Sequence, residues 1–244
     1  MATSTENFDW SVLNRNSIIT LMRTLSSEIV RQPLTVEQFH KKITTLLKKH
    51  LPVRVRKAFS PKVDPGFVYV GGCYHSAYDE DYKKCIEILF QYRAKEKIIN
   101  LTAKRFSSMC TTIADTLLHE IIHMRQFRRR NFKQLPDYAS NAEKSEIREE
   151  QEYLGCSDEI DAYGFNIACE LMDKFGNNKK QVVNYLNENQ KGKKRRHNSW
   201  RMYLKAFEHD HNHPILQRVK KKVVRYIPAA EAGKPYRNKD WINW

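Results

Sequence analysis

Residues 115–127 read DTLLHEIIHMRQF, and the spacing inside this stretch decides how the chain is read. His119 and His123 stand four residues apart, so on an α-helix they project from one face on successive turns, with Glu120 beside them. Two imidazoles so placed can share one metal ion. This is the HExxH arrangement, in which two neutral histidines hold zinc and the glutamate takes a proton from water that the ion activates. Zinc lowers the pKa of that water to about 7, which makes a nucleophile available at neutral pH. A helix is predicted from about Phe106 to Phe127, because Met109, Ile113, Leu117, Ile121 and Met124 recur as one apolar stripe.

Working upstream, the period changes from helical to alternating. Residues 53–58 (VRVRKA), 66–74 (GFVYVGGCY), 85–92 (CIEILFQY) and 97–102 (KIINLT) are β-branched or aromatic, with Pro, Gly or charged turns between them. They read as four strands, the first with Val on a buried face and Arg on a basic one. Residues 8–50 read as two helices with a break at Pro33; Val36, Phe39, Ile43, Leu46 and Leu47 pattern the second. Downstream, a loop around Pro136 precedes a polar helix from Ser140, where Ser140 and Glu143 have capping-box spacing, and Gly155 ends it. A further helix is expected from Ser157 to about Phe175. Residues 177–197 hold a short helix and then the basic run KGKKRRH, and Ser199–Arg225 reads as helix broken at Pro214. Helices, then a small mixed sheet, then helices make an α+β plan rather than a doubly wound one. The division expected is a helical segment 1–50, a central domain 51–176 and a basic helical extension 177–244.

A catalytic zinc needs a third protein ligand and an open fourth position. The extension HExxHxxGxxH is excluded, since Gln126 and Arg129 occupy its Gly and His positions. The SprT-like proteases use a nearby downstream His, but after His123 the next is His197. What remains is a carboxylate from a later helix, the gluzincin pattern, with Glu146, Glu149, Glu150, Glu152, Asp158, Glu159 and Asp161 as candidates. The first four lie among charged residues, whereas the helix of Glu159 has a strongly apolar face.

The run Glu159-x-Asp161-Ala162-x-x-Phe165-x-x-Ala168-x-x-Leu171-Met172 resembles the third-ligand helix of ImmA/IrrE-type zinc peptidases, whose pattern is close to E-x-E-A-N-x-F-A. The chain departs from it at Tyr163 and Asn166, and no Pro follows Met172. The resemblance covers roughly residues 106–175. It implies a zincin-like fold, Glu159 as third ligand, and Ala162 as the small residue that allows close helix packing. The Tyr153-Leu154 and Asp158–Tyr163 stretches are also similar to phage-encoded HExxH proteins.

Asp115, one turn before His119, and Asp161, near Glu159, are candidates to accept an N–H from a ligating imidazole. Tyr163 is the first candidate for stabilising an oxyanion, with Arg201, Tyr203 and His209 as alternatives. His209, His211 and His213 alternate before Pro214 and read as a helix-ending cap rather than a second metal site. Arg128–Arg130 closes a helix by the same dipole argument.

The chain has 244 residues with 43 Lys+Arg against 28 Asp+Glu, a formal charge of +15, which favours nucleic acid or an acidic protein surface as a partner. Lys193, Lys194, Arg195 and Arg196, with Trp200 nearby, are candidate nucleic-acid contacts. Five cysteines without a CxxC pair exclude a zinc ribbon and a disulfide framework, and read as buried free thiols in a reducing compartment. The N-terminal residues show no signal-peptide pattern, and no apolar run approaches bilayer length. The location expected is the cytoplasm of a cell or viral host, or the virion, with no membrane partner. The function expected is zinc-dependent hydrolysis of a peptide or protein substrate, with Glu120 as base and one Zn2+ held by His119, His123 and Glu159. A substrate peptide is expected on an edge strand at Lys97–Thr102 or Cys85–Tyr92. The competing expectation is a basic nucleic-acid-binding or viral assembly protein whose metal is structural.

Overall fold

The computed structural model describes residues 8–76, 85–94, 96–133, 146–191 and 198–235. Helices and small sheets coexist as the α+β reading requires, and the chain forms two compact units, residues 1–132 and 133–244. That boundary falls inside the stretch 51–176 read above as one domain.

In the first unit, helices α1 (Arg15–Arg23), α2 (Ser26–Ile29) and α3 (Val36–His50) precede the sheet. Thr35 and Gln38 form a capping box that starts α3, and Lys48, Lys49 and His50 complement its C-terminal dipole. Val36, Phe39, Ile43 and Leu47 are buried along one face, each contributing about 1.5–3 kcal/mol through removal from water. Leu34–Thr35 is a short strand, β1, that the sequence reading did not anticipate.

The main sheet has three strands, β2 (Val53–Ser60), β3 (Tyr69–His75) and β4 (Cys85–Arg93), in the order β2-β4-β3. β2 is parallel to β4 and β3 antiparallel to it, so the sheet is mixed. Ile86, Ile88, Phe90 and Tyr92 of β4 lie on one face and are all buried; Val53 and Val55 sit in register with Ile86 and Ile88 on that face. Arg54 and Arg56 line the other face, exposed and flanking the buried Glu87 at 3.3 Å each. The Val/Arg alternation therefore does separate a core face from a basic one. Two expectations for an edge strand fail. Cys85–Arg93 is the central strand, because its continuous apolar run is matched by neighbours on both sides. The predicted strand Lys97–Thr102 shrinks to β5, Ile98–Ile99, paired antiparallel with Leu34–Thr35 in a separate ribbon. The edges of the three-stranded sheet are β2 and β3.

Helix α4 (Ala103–Arg129) begins where the Thr102 hydroxyl accepts the Arg105 N–H and ends with Arg128 and Arg129 in its last turn. Its 27 residues span about 40 Å. The predicted stripe is buried, but so are Leu118, His119, Glu120 and Ile122, because α1 and the core face of β3 and β4 pack on different sides of the helix.

The second unit is helical: α5 (Glu146–Gly155), α6 (Ser157–Lys174), α7 (Lys179–Asn187), α8 (Ser199–Ala206) and α9 (Pro214–Glu231). Ile160, Ile167 and Leu171 of α6 share a core with Trp200, Tyr203, Val219 and Val223. α6 and α9 cross closely at Gly164, where a Cβ would stand 2.8 Å from Lys222 Cβ. The histidine run divides differently from its reading as a helix end. α8 stops at Ala206, and His213 instead caps the start of α9, its Nδ1 accepting the Ile215 N–H at 3.2 Å. The Ser140/Glu143 capping box and the basic run Lys193–Arg196 lie outside the described residues. Of the cysteines, Cys110, Cys156 and Cys169 are buried free thiols as expected, but Cys73 is exposed on β3 and Cys85 half-buried. Burial pushes the Cys110 thiol up to about 11. Among the described residues no helix is long and apolar enough to cross a membrane.

Candidate metal centre

The centre is built first by helical period. His119 and His123 sit on successive turns of α4 with their Nε2 atoms 3.0 Å apart and ring centroids 4.7 Å apart. His123 Nδ1 lies 2.8 Å from Gln126 Oε1. A carboxamide oxygen only accepts, so this bond puts the proton on Nδ1 and leaves the Nε2 lone pair for a metal. Gln126 thus does for His123 what Asp115 and Asp161 were candidates to do, and the signal for it is the i+3 spacing within the same helix.

Glu159 lies in the first turn of α6, where the helix dipole favours an ionised carboxylate. His119, His123 and Glu159 each offer a buried ligand atom, and the three atoms lie within 4.8 Å of one another. The group could hold a metal ion. The donor set fits one, since two ligands about 2.1 Å from a tetrahedral ion stand about 3.4 Å apart. His119 and Glu159 are 6% and 8% exposed, so an ion bound there would be largely shielded from water.

Glu120 is 5% exposed. It owes its room to Gly72 of β3: a Cβ there would stand 2.8 Å from both Glu120 Cγ and Oε1, and 2.7 Å from Thr116 Cγ2. Any side chain at residue 72 would therefore displace the glutamate or the strand. Nothing in the sequence reading singled Gly72 out, because its role depends on which face of β3 meets α4.

The other candidates are placed as follows. Asp115 receives Arg15 Nε at 2.5 Å and Nη2 at 3.1 Å, a buried bidentate pair that ties α1 to α4. Asp161 accepts from Lys222 at 2.5 Å and from the Tyr226 hydroxyl at 2.9 Å, tying α6 to α9. Tyr163 packs edge-on against Tyr203, with centroids 5.7 Å apart. Tyr203, fully buried, donates to the Leu154 carbonyl at 3.0 Å. Arg201 lies in the first turn of α8, and His209 has a left-handed backbone (φ +59°) in the turn after it.

Tyr153 was not among the site candidates read from the sequence, yet Glu159 and Tyr163 act on its hydroxyl. Burial first, then the Glu159 charge, hold its phenol well above the usual range, so it stays protonated and able to donate. The sequence carried only a weak cue, a tyrosine six residues before the carboxylate and across a helix break. Comparison with protein-family models, with curated proteins and with solved structures found no match to this chain.

Proposed function

We propose that the chain is a zinc metallopeptidase of zincin-like fold. The observation that carries this reading is the convergence of His119, His123 and Glu159, with Glu120 of the same HExxH motif buried in the next position of the helix. Two neutral imidazoles and one carboxylate form a donor set suited to zinc, and three protein ligands are the complement of a catalytic rather than a closed structural site. When bound there, zinc supplies a Lewis acid for the scissile carbonyl and water acidified to a pKa of about 7. Glu120 takes the proton of the attacking water and returns it to the departing amine, so one residue serves as base and then acid. Its burial keeps the carboxylate from competing solvent. The packing of α4 on a mixed sheet supports the same reading. Among the described residues β3 is an edge strand, and Gly72 brings it against Glu120, so that edge is suited to hold an extended peptide by strand addition.

The decisive test is Glu120→Gln, with zinc content and cleavage of a denatured protein substrate measured together. Full zinc with cleavage lowered by about 10^2- to 10^4-fold is the expected result; cleavage at the wild-type rate would exclude this base. The charge of +15 favours a second reading, a nucleic-acid-binding or viral assembly protein with a structural metal. Strongly salt-dependent nucleic-acid binding without any peptidase activity would select it.

A further inference from the structure

Helix α3 has two faces that differ in what they meet. Val36, Phe39, Ile43 and Leu47 go into the core. On another side Gln38, Lys41, Lys42, Thr45, Leu46 and Lys49 follow the i, i+3, i+4 spacing of a second stripe. That stripe walls a groove of about 520 Å³, completed by Leu25, Glu28 of α2 and Leu34 of β1. Its apolar part is aliphatic: Leu25 is buried, and Leu34 and Leu46 are half-buried. Its rim is cationic. Lys42 pairs with Glu28, whereas Lys41 and Lys49 are exposed and have no acidic partner among the described residues. These two lysines stand about 12 Å apart along the helix.

Leucines under two unpaired lysines suit an occupant that brings apolar side chains and negative charge together. Single-stranded nucleic acid is held by aromatic platforms on which its bases stack, and no aromatic residue lines the groove. A membrane surface is met by apolar side chains that protrude, whereas these leucines are recessed. A protein segment with aliphatic anchors beside Glu or Asp supplies both needs, in the manner of a peptide laid into a groove. We propose that the groove is a docking site for an acidic, leucine-anchored segment of a partner protein. Lys41 and Lys49 meet its carboxylates, and Leu25, Leu34 and Leu46 its apolar side chains.

The test titrates the full chain into a fluorescein-labelled helical peptide with Leu at i, i+3 and i+7 and Glu flanking them, read by fluorescence anisotropy. Saturable binding that weakens as salt is raised is expected. Lys41→Glu with Lys49→Glu should weaken it at least about 10-fold, because two ion pairs are replaced by repulsion. Leu46→Ala, which keeps a strong helix former in place, should weaken it about 5-fold through the apolar contact alone. Lys221→Glu with Arg225→Glu makes the same charge change at exposed positions of α9 and leaves binding unchanged. No binding by the wild-type chain overturns the docking site, and so does an equal loss in the α9 control, which reduces the contact to net charge. Wild-type affinity in Leu46→Ala overturns it as well. Should Leu46→Ala not fold, Thr45→Trp fills the groove from an exposed position, and unweakened binding there overturns the site. Displacement of the peptide by a deoxythymidine oligonucleotide or by phosphatidylserine vesicles, insensitive to Leu46→Ala, gives the lysines to phosphate and overturns the peptide. A dimer in sedimentation velocity that disappears in Lys41→Glu with Lys49→Glu gives the groove to a second copy of the chain and overturns it too.

Discussion

Helix α4 and the first turn of α6 both contribute to the candidate centre, and they do so by opposite means. α4 supplies two candidate ligands and the proposed base within five residues, spaced by the helix repeat, and braces His123 with Gln126 one turn on. α6 supplies a single carboxylate, Glu159, in its first turn. Ligands on one helix inherit their relative geometry from backbone hydrogen bonds, so they are recognisable in sequence and hard to misplace. A ligand arriving singly depends on tertiary partners, which leave no periodic trace.

The largest effect expected from breaking α4 is the loss of the base. Glu120→Gln should lower the cleavage rate by about 10^2- to 10^4-fold with zinc retained. Next comes the anchoring of the two helices. Asp115→Ala leaves Arg15 buried without its carboxylate and should destabilise the first unit by about 3 kcal/mol in chemical denaturation. Asp161→Ala on α6, whose Lys222 partner is 34% exposed, should cost the second unit on the order of 1 kcal/mol. Equal losses would erase the contrast between a deeply buried anchor and a partly solvated one. Gly72→Ala drives a methyl into the space of Glu120 and should reduce cleavage while zinc content holds, since neither imidazole is among the atoms it meets. The smallest effect is expected from Gln126→Ala, about 10-fold in zinc affinity by chelator competition, because the i+4 spacing of the two histidines survives it.

The same contrast explains how much was legible beforehand. α4 and α6 are within three residues of their predicted bounds, because each carries a sustained apolar period between clear ends. Strands β2 and β4 were legible from alternation and β-branched content. Which strand was central was not, because the strand order depends on the connection that brings β2 and β4 parallel, and alternation does not record it. The short ribbon of Leu34–Thr35 with Ile98–Ile99 escaped notice for a related reason: two-residue strands have no period.

By itself, then, the sequence determines that two histidines share one helical face with a glutamate beside them, that the helix is long and apolar around them, and that Glu159 belongs to a second helix with an apolar face. Those are properties of spacing within continuous segments. Tertiary structure alone decides that Gly72 opens the space for Glu120 and that Asp115 and Asp161 anchor helices to Arg15 and Lys222. Each of these joins residues separated by a turn or by tens of residues, through a contact whose existence depends on which faces the packed elements turn toward one another.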